Sequence, residues 1–265
     1  MEHSAAAAPA TLASIDGQDI NIATMGEVVN ASIARLKQGL GFTLFTLNLD
    51  HVVKRRSDPV FRDIYSRATF VTADGAPIVW LAARQGARLD RVTGADLVIP
   101  MCAAAARAGV PVAFYGSSIQ SLTKAAANLR LKFPRLEIAC MESPPQGFDP
   151  TSPAAEAAAS RIAASGARIC FVAFGAPKQE RFSDHMARRH PEMGFMDIGA
   201  ALDFIAGDER RAPVFFQRNG LEWVWRLGSN PRRMALRYAR CAAMLARLAV
   251  NAAARRPIGP VAQSR

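Results

Sequence analysis

Cysteine is scarce in this chain, and its four copies, Cys102, Cys140, Cys170 and Cys241, form no CxxC pair. That spacing argues against a zinc site or a redox couple and fits buried free thiols in a reducing compartment. The histidines, His3, His51, His185 and His190, show no metal-ligand grouping, and His51 reads as a local capping or solvated residue. There is no Asp-x-Asp pair to hold a divalent ion, so no metal is expected. No GxGxxG turn follows the first apolar run, which removes the fingerprint of a nicotinamide enzyme. No window holds about 18 uninterrupted apolar residues, so no membrane-spanning helix is expected. The start, Met1-Glu2-His3-Ser4 and then an Ala/Pro-rich stretch, lacks the basic region and apolar run of a signal peptide. No internal repeat is evident.

What the chain does have suits a globular protein with a sizeable core. Its 265 residues are 50% hydrophobic and 21% charged, enough for one large domain, alone or with an appendage. The net charge of +11 calls for acidic partners: nucleic acid, anionic lipid or a phosphorylated substrate. Arginines crowd the last quarter, from Arg210 to Arg256, against few acids. Such one-sided charge suggests a docking surface.

Short apolar runs alternate with helical patterns. Strands are predicted over 42–48, 68–73, 110–115, 136–141, 168–174 and 193–198. Helices are predicted over 25–39, 59–66, 76–84, 95–108, 119–132, 153–165 and 178–189. This alternation predicts an α/β, Rossmann-like domain with a mainly parallel sheet and helices on both faces, followed by a basic helical C-terminal appendage. The expected boundaries are a disordered 1–14, a catalytic domain over 15–208, the appendage over 209–250 and a disordered 251–265. Ligands of such sheets sit outside the carboxyl ends of the strands. Asn48, Asp74, Gly116, Gly175 and Gly199 all fall there.

Several segments at that rim can do chemistry. In Phe174-Gly175-Ala176-Pro177-Lys178-Gln179-Glu180 a strand turns into a helix that begins with proline, leaving free backbone N–H groups for phosphate. Lys178 adds a cation, Gln179 a donor and acceptor, and Glu180 a carboxylate at the same rim; Gly175 and Pro177 also serve turn geometry alone. Asp74, followed by Gly75, can act as an exposed base or as the N-cap of the next helix. Thr46 and Asn48 are two apart and face the same way, toward a ligand or as strand-end caps. After Asn230-Pro231, Arg233, Arg237, Arg240 and Arg247 share a helical face beside the apolar stripe Met234, Tyr238, Cys241, Leu245 and Leu248. That pattern fits a helix on an anionic membrane, with packing on the core as the alternative. Exposed-looking Trp223 and Trp225 favour the membrane.

Taken in order, Thr46-Leu47-Asn48, Asp74-Gly75, Arg91-Val92-Thr93-Gly94-Ala95-Asp96-Leu97, Gly147-Phe148, the Gly175 segment and Gly199-Ala200-Ala201-Leu202-Asp203 form a set, completed by Arg211-Ala212-Pro213, Gly220-Leu221-Glu222-Trp223, Arg226-Leu227 and Pro231-Arg232-Arg233. The set resembles the WecG/TagA/CpsF family of bacterial glycosyltransferases (glycosyltransferase family 26) from about residue 20 to about 240. The resemblance implies an inverting, metal-independent transfer from a UDP-sugar to a polyprenyl-diphosphate-linked saccharide, with no cofactor, for a surface or secreted polysaccharide. N-acetylmannosamine, its uronic acid or a hexose would be the sugar transferred. Asp74 would be the base, with Thr46 and Asn48 bonding sugar hydroxyls or an N-acetyl group. Arg91 would clamp phosphate, unless it is a surface ion pair. Gly175, Pro177, Lys178, Gln179 and Glu180 would meet the donor sugar or its diphosphate. Asp203 would bind nucleotide or fix a loop. Arg226, Arg232, Arg233 and Arg237 would neutralise the leaving diphosphate once the appendage docks on the membrane. The implied location is cytoplasmic, peripheral at the inner face of the membrane, with anionic lipid as partner and a homo-oligomer as a possible solution state. Two rivals remain: a nucleotide-binding α/β enzyme of another class, and a basic nucleic-acid-binding protein, which would leave the Asp74 and Gly175 segments unexplained. The chain departs from the family pattern at Ala200-Ala201, before Asp203, where a second glycine is common.

Overall fold

The computed structural model describes residues 9–218, 220–229 and 231–254. It opens with a hairpin of two short antiparallel strands, β1 (Ala13–Ile15) and β2 (Gln18–Ile20). Then come α1 (Met25–Lys37), β3 (Phe42–Leu47), α2 (Leu49–Ser57), α3 (Pro59–Ser66), β4 (Phe70–Ala73), α4 (Ala76–Ala83) and α5 (Gly94–Ala108). The second half runs through β5 (Val112–Gly116), α6 (Ile119–Lys132), β6 (Ile138–Glu142), α7 (Pro153–Ala164), β7 (Ile169–Ala173), α8 (Lys178–Ala187), β8 (Gly194–Asp197) and α9 (Ala201–Ala206). The appendage holds α10 (Val214–Arg218), α11 (Glu222–Ser229) and α12 (Pro231–Ala254).

The sheet has strand order β4-β3-β8-β7-β5-β6, and every pairing in it is parallel. Strands covered on both faces read as continuous apolar runs, which is why all six were legible. One core lies between the sheet and α1, α5, α6 and α9, including Leu44, Phe70, Phe114, Phe171, Leu97 and Leu122. On the opposite face α2, α3 and α4 cover one half, through Phe45, Phe61 and Tyr65, and α7 and α8 cover the other, through Tyr115, Phe182 and Phe195.

Register sets the site. Thr46 pairs with Thr72 and Leu47 with Ala73, so β3 and β4 end level. The Asp74 N–H continues the ladder to the Leu47 carbonyl at 2.8 Å. Among the described residues no further strand lies beyond β4. Asn21 covers that edge instead: its N–H donates to the Val71 carbonyl at 3.3 Å, and its side-chain oxygen accepts the Val71 N–H at 2.8 Å.

Three expectations need correction. Ala13 and Ser14, placed in a disordered 1–14 segment, are paired strand residues, and the Leu12 N–H extends the pairing to the Ile20 carbonyl at 2.8 Å. Residues 251–254, assigned to a disordered tail, complete α12, because alanines prolong a helix without cost; residues 1–8 and 255–265 lie outside the described residues. The apolar stripe of α12 does not face outward. Cys241 and Leu248 are buried, and Leu248, Met244 and Leu245 pack on the core beneath α2 and α4. Burying apolar side chains is favourable by roughly 25 cal/mol per Å², so a stripe with a protein surface within reach is covered by it. Trp223 is exposed as expected, whereas Trp225 is half-buried, its ring 5.9 Å from that of Phe216.

Candidate active site

Asp74 leaves β4 at its carboxyl end and does not cap α4. The capping position is Gly75, at φ 93°, and no side-chain bond closes that helix start. Instead Asp74 Oδ2 accepts from Thr46 Oγ1 at 3.4 Å and from Asn48 Nδ2 at 3.2 Å. Asn48 is also the N-cap of α2, its Oδ1 accepting the His51 N–H at 3.1 Å. Ligand-facing and capping roles therefore fall on one amide. Below them, the Thr46 carbonyl accepts both the Tyr65 hydroxyl, at 2.9 Å, and His51 Nδ1–H, at 2.6 Å. His51 is buried, not solvated, and burial drives its pKa down to about 4, keeping it neutral.

The Arg91-Val92-Thr93-Gly94 segment joins the same rim. The Val92 N–H binds the Ala73 carbonyl at 2.8 Å, directly beside Asp74. Thr93 caps α5, and Gly94 sits so close to β8 that a Cβ there would lie 2.8 Å from the Asp197 carbonyl oxygen. Arg91 is engaged: its guanidinium lies 3.7 Å from Asp96 and 3.9 Å from Glu222. Arg211 grips the same two carboxylates, at 2.6 and 3.1 Å. These four charges clamp the appendage to the domain. Beside the clamp, Gly220 rests on α4, where an added Cβ would meet Ala76 Cβ at 2.7 Å.

At the end of β7, Gly175 is exposed, and α8 begins at Lys178, with Pro177 at the cap position rather than inside the helix. Lys178 reaches over the Phe148 ring, 5.1 Å from its centre. Gln179 is buried and accepts the Gly199 N–H on Oε1 at 3.0 Å, tying the β7 loop to the β8 loop. Glu180 is not at the rim. It lies 1% exposed beneath it, accepting from Gln179 Nε2 at 3.0 Å, and burial raises its pKa to about 7. A helical period explains the placement, since Glu180 shares a buried α8 face with Ser183 and Asp184. Nearby, Asp197 is buried with its pKa pushed well up by desolvation and by Glu180, and its Oδ1 accepts from Ser183 at 2.5 Å.

Asp203, on α9, accepts a short hydrogen bond from Ser117 at the end of β5. Arg237 reaches Asp50 at 3.1 Å, and Asp50 in turn holds Lys54 at 2.6 Å, whose ammonium donates to the Ala176 carbonyl at 3.1 Å. Arg232 is exposed, and the side chains of Arg226 and Arg233 lie outside the described residues. Among the described residues no three His, Cys, Asp or Glu side chains converge on a metal position, and no helix is long and apolar enough to cross a membrane.

The structure thus brings together Asp74, Thr46 and Asn48, ties the segment that carries Arg91 to the end of β4, and places Gln179 at the start of α8 and Asp203 on α9, the helices that follow the neighbouring strands β7 and β8. His51 was read only as a local capping or solvated residue, and Tyr65, Asp96, Arg211 and Glu222 were given no role from sequence. For the last three the signal was available, since all lie in the motifs that form the ordered set. A sequence model of the Glycosyl transferase WecG/TagA/CpsF family matches residues 13–258. That span is most of the chain, which therefore belongs to this family of enzymes that transfer sugars to lipid-linked acceptors in surface-polymer synthesis.

Proposed function

We propose that the chain is an inverting, metal-independent glycosyltransferase that moves a sugar from a UDP-sugar to a polyprenyl-diphosphate-linked saccharide. The observation that carries this reading is the Thr46–Asn48–Asp74 cluster, two donors on one carboxylate oxygen at the carboxyl edge of a parallel sheet. The two bonds fix the orientation of a carboxylate that takes the acceptor hydroxyl's proton as the hydroxyl attacks the anomeric carbon and UDP leaves. Gln179 and the α8 start lie across the rim on the donor side, and Asp203 takes the nucleotide end. Leaving charge is met by backbone N–H groups and by appendage arginines, among them Arg226, Arg232, Arg233 and Arg237. Arg91 and Arg237, already paired with carboxylates, would exchange those partners for phosphate.

The protein works at the inner face of the cytoplasmic membrane. Support comes from exposed Val214, Phe215, Trp223 and Leu236 together with exposed Arg232, Arg240 and Arg247, rather than from the stripe buried under α12.

The test is UDP release by the purified chain with detergent-solubilised polyprenyl-diphosphate-sugar acceptors, a panel of UDP-sugars and EDTA throughout. Acceptor-dependent release from one donor, lost by about 10²–10⁴-fold in Asp74→Asn, is expected. Full activity in that variant would remove Asp74 as base, and activity only without EDTA would overturn metal independence.

A further inference from the structure

Beneath the candidate base lies a buried polar system that the reaction as written does not use. The Thr46 carbonyl, two bonds from the Cα whose side chain holds Asp74, is gripped by two donors from the opposite face of the sheet. Because Nδ1 of His51 donates to that carbonyl, its Nε2 carries a lone pair, and this faces Glu180 Oε1 at 3.9 Å. The same Glu180 oxygen accepts from the Gln179 amide, whose other end fixes the Gly199 N–H. One buried carboxyl therefore touches both the donor side and the base side of the site. Its second oxygen, and Oδ2 of Asp197, have no hydrogen-bond partner among the described residues. Unsatisfied buried polar atoms are costly and persist where they serve something besides stability.

Resting on the transferase reading above, we infer that Glu180, His51 and Tyr65 are positioning residues for sugar transfer: Tyr65 and His51 hold Thr46 against Asp74, and Glu180 holds the Gln179 amide that fixes Gly199 while acting on His51 electrostatically across 3.9 Å. The neutral carboxyl of Glu180 is the form that keeps the grip. Ionised, it confronts Asp197 on β8 and Asp50 on α2, and pulls a proton toward His51, whose other charged neighbours are Lys54 on α2 and Arg237 on α12. Tyr65 on α3 completes the ring of titratable groups around it.

Two readouts on the full-length chain test this. In steady-state transfer, Tyr65→Phe keeps its ring packing with Phe45 and Phe61 but loses one grip on Thr46. Its kcat falls about tenfold while donor KM stays within about twofold. Glu180→Leu lowers kcat similarly, and Glu180→Gln restores most of it below pH 7. Wild-type kcat relative to Glu180→Gln falls as pH rises through about 7, where Glu180 ionises. In nitrogen NMR of ring-labelled histidine, His51 shows a neutral imidazole protonated on Nδ1, with an inflection near 7 that vanishes in Glu180→Gln. Wild-type kinetics in Tyr65→Phe and Glu180→Leu would overturn the proposal, as would a ratio of wild-type to Glu180→Gln kcat that stays flat through pH 7 or a His51 signal indifferent to Glu180. If the His51 signal behaves as expected but the wild type transfers no sugar from any donor, the transferase reading fails and the catalytic role falls with it.

Discussion

Asn48 and Asp74, 26 residues apart, meet through a single side-chain hydrogen bond of 3.2 Å. The amide cannot turn round, because its oxygen is committed to the His51 N–H at 3.1 Å. Replacing Asn48 with Asp keeps an N-cap acceptor but sets a second carboxylate against Asp74. The expected result is a melting temperature near that of the wild type with kcat at least tenfold lower. Asn48→Ala should lose both, including about 1 kcal/mol from the missing cap. Thermal melts paired with initial rates separate the two.

Glu222 shares Arg91 and Arg211 with Asp96 across the junction between domain and appendage. Glu222→Ala leaves two guanidiniums on one carboxylate and should loosen α10 and α11. Hydrogen exchange should quicken in those helices while the sheet keeps its protection. Unchanged exchange there would show that apolar contacts alone hold the appendage.

Gly94 is the point where α5 touches the end of β8. A methyl group there meets backbone at 2.8 Å, which no side-chain rotamer can relieve. Gly94→Ala should destabilise the protein by about 1–3 kcal/mol by denaturant titration, despite alanine's better helix propensity. A stabilised variant would mean that α5 can shift freely.

Burial makes stability pH-dependent in two opposed ways. His51 has its pKa depressed from 6.5 to about 4, so the unfolded chain binds the extra proton and stability falls as pH drops from 6.5 toward 4. Glu180 has its pKa raised from 4.5 to about 7, so the folded chain binds the extra proton and stability falls as pH rises from 4.5 through 7. Glu180→Gln removes only the second effect. The melting temperature of the variant minus that of the wild type should therefore climb between pH 5 and pH 8, and a flat difference would refute the buried ionisation.

The six sheet strands were readable because each is an apolar run between turn signals. The β1–β2 hairpin was not, since three-residue strands leave no measurable alternation. Helix α2 also escaped: Leu49-Asp50-His51-Val52-Val53-Lys54-Arg55-Arg56-Ser57 is too polar to show a face, and it starts straight from β3. Its one local signal was Asn48, which was read as a strand end. Among candidate site residues, Asp74, Thr46 and Asn48 could be singled out because they stand at the ends of apolar runs, and the structure brings their side chains together. Glu180 was misplaced because residues in a loop motif were read together as a rim, and a polar pair such as Glu180 and Ser183 gives no sequence signal of the buried face they share. Amphipathicity in α12 was legible, but the pattern does not say whether protein or lipid covers the stripe.

Asn21 stands in for a neighbouring strand along β4, taking up both the donor and the acceptor of Val71. Without it, the strand that delivers Asp74 would present open backbone groups on which a second molecule could build its own strand. Asn21, directly after the small N-terminal hairpin, thus covers open backbone at the sheet edge as well as joining the hairpin to the fold. Trimming the chain past Asn21 would leave every residue of the candidate site in place and yet favour aggregates that grow from the strand bearing the base.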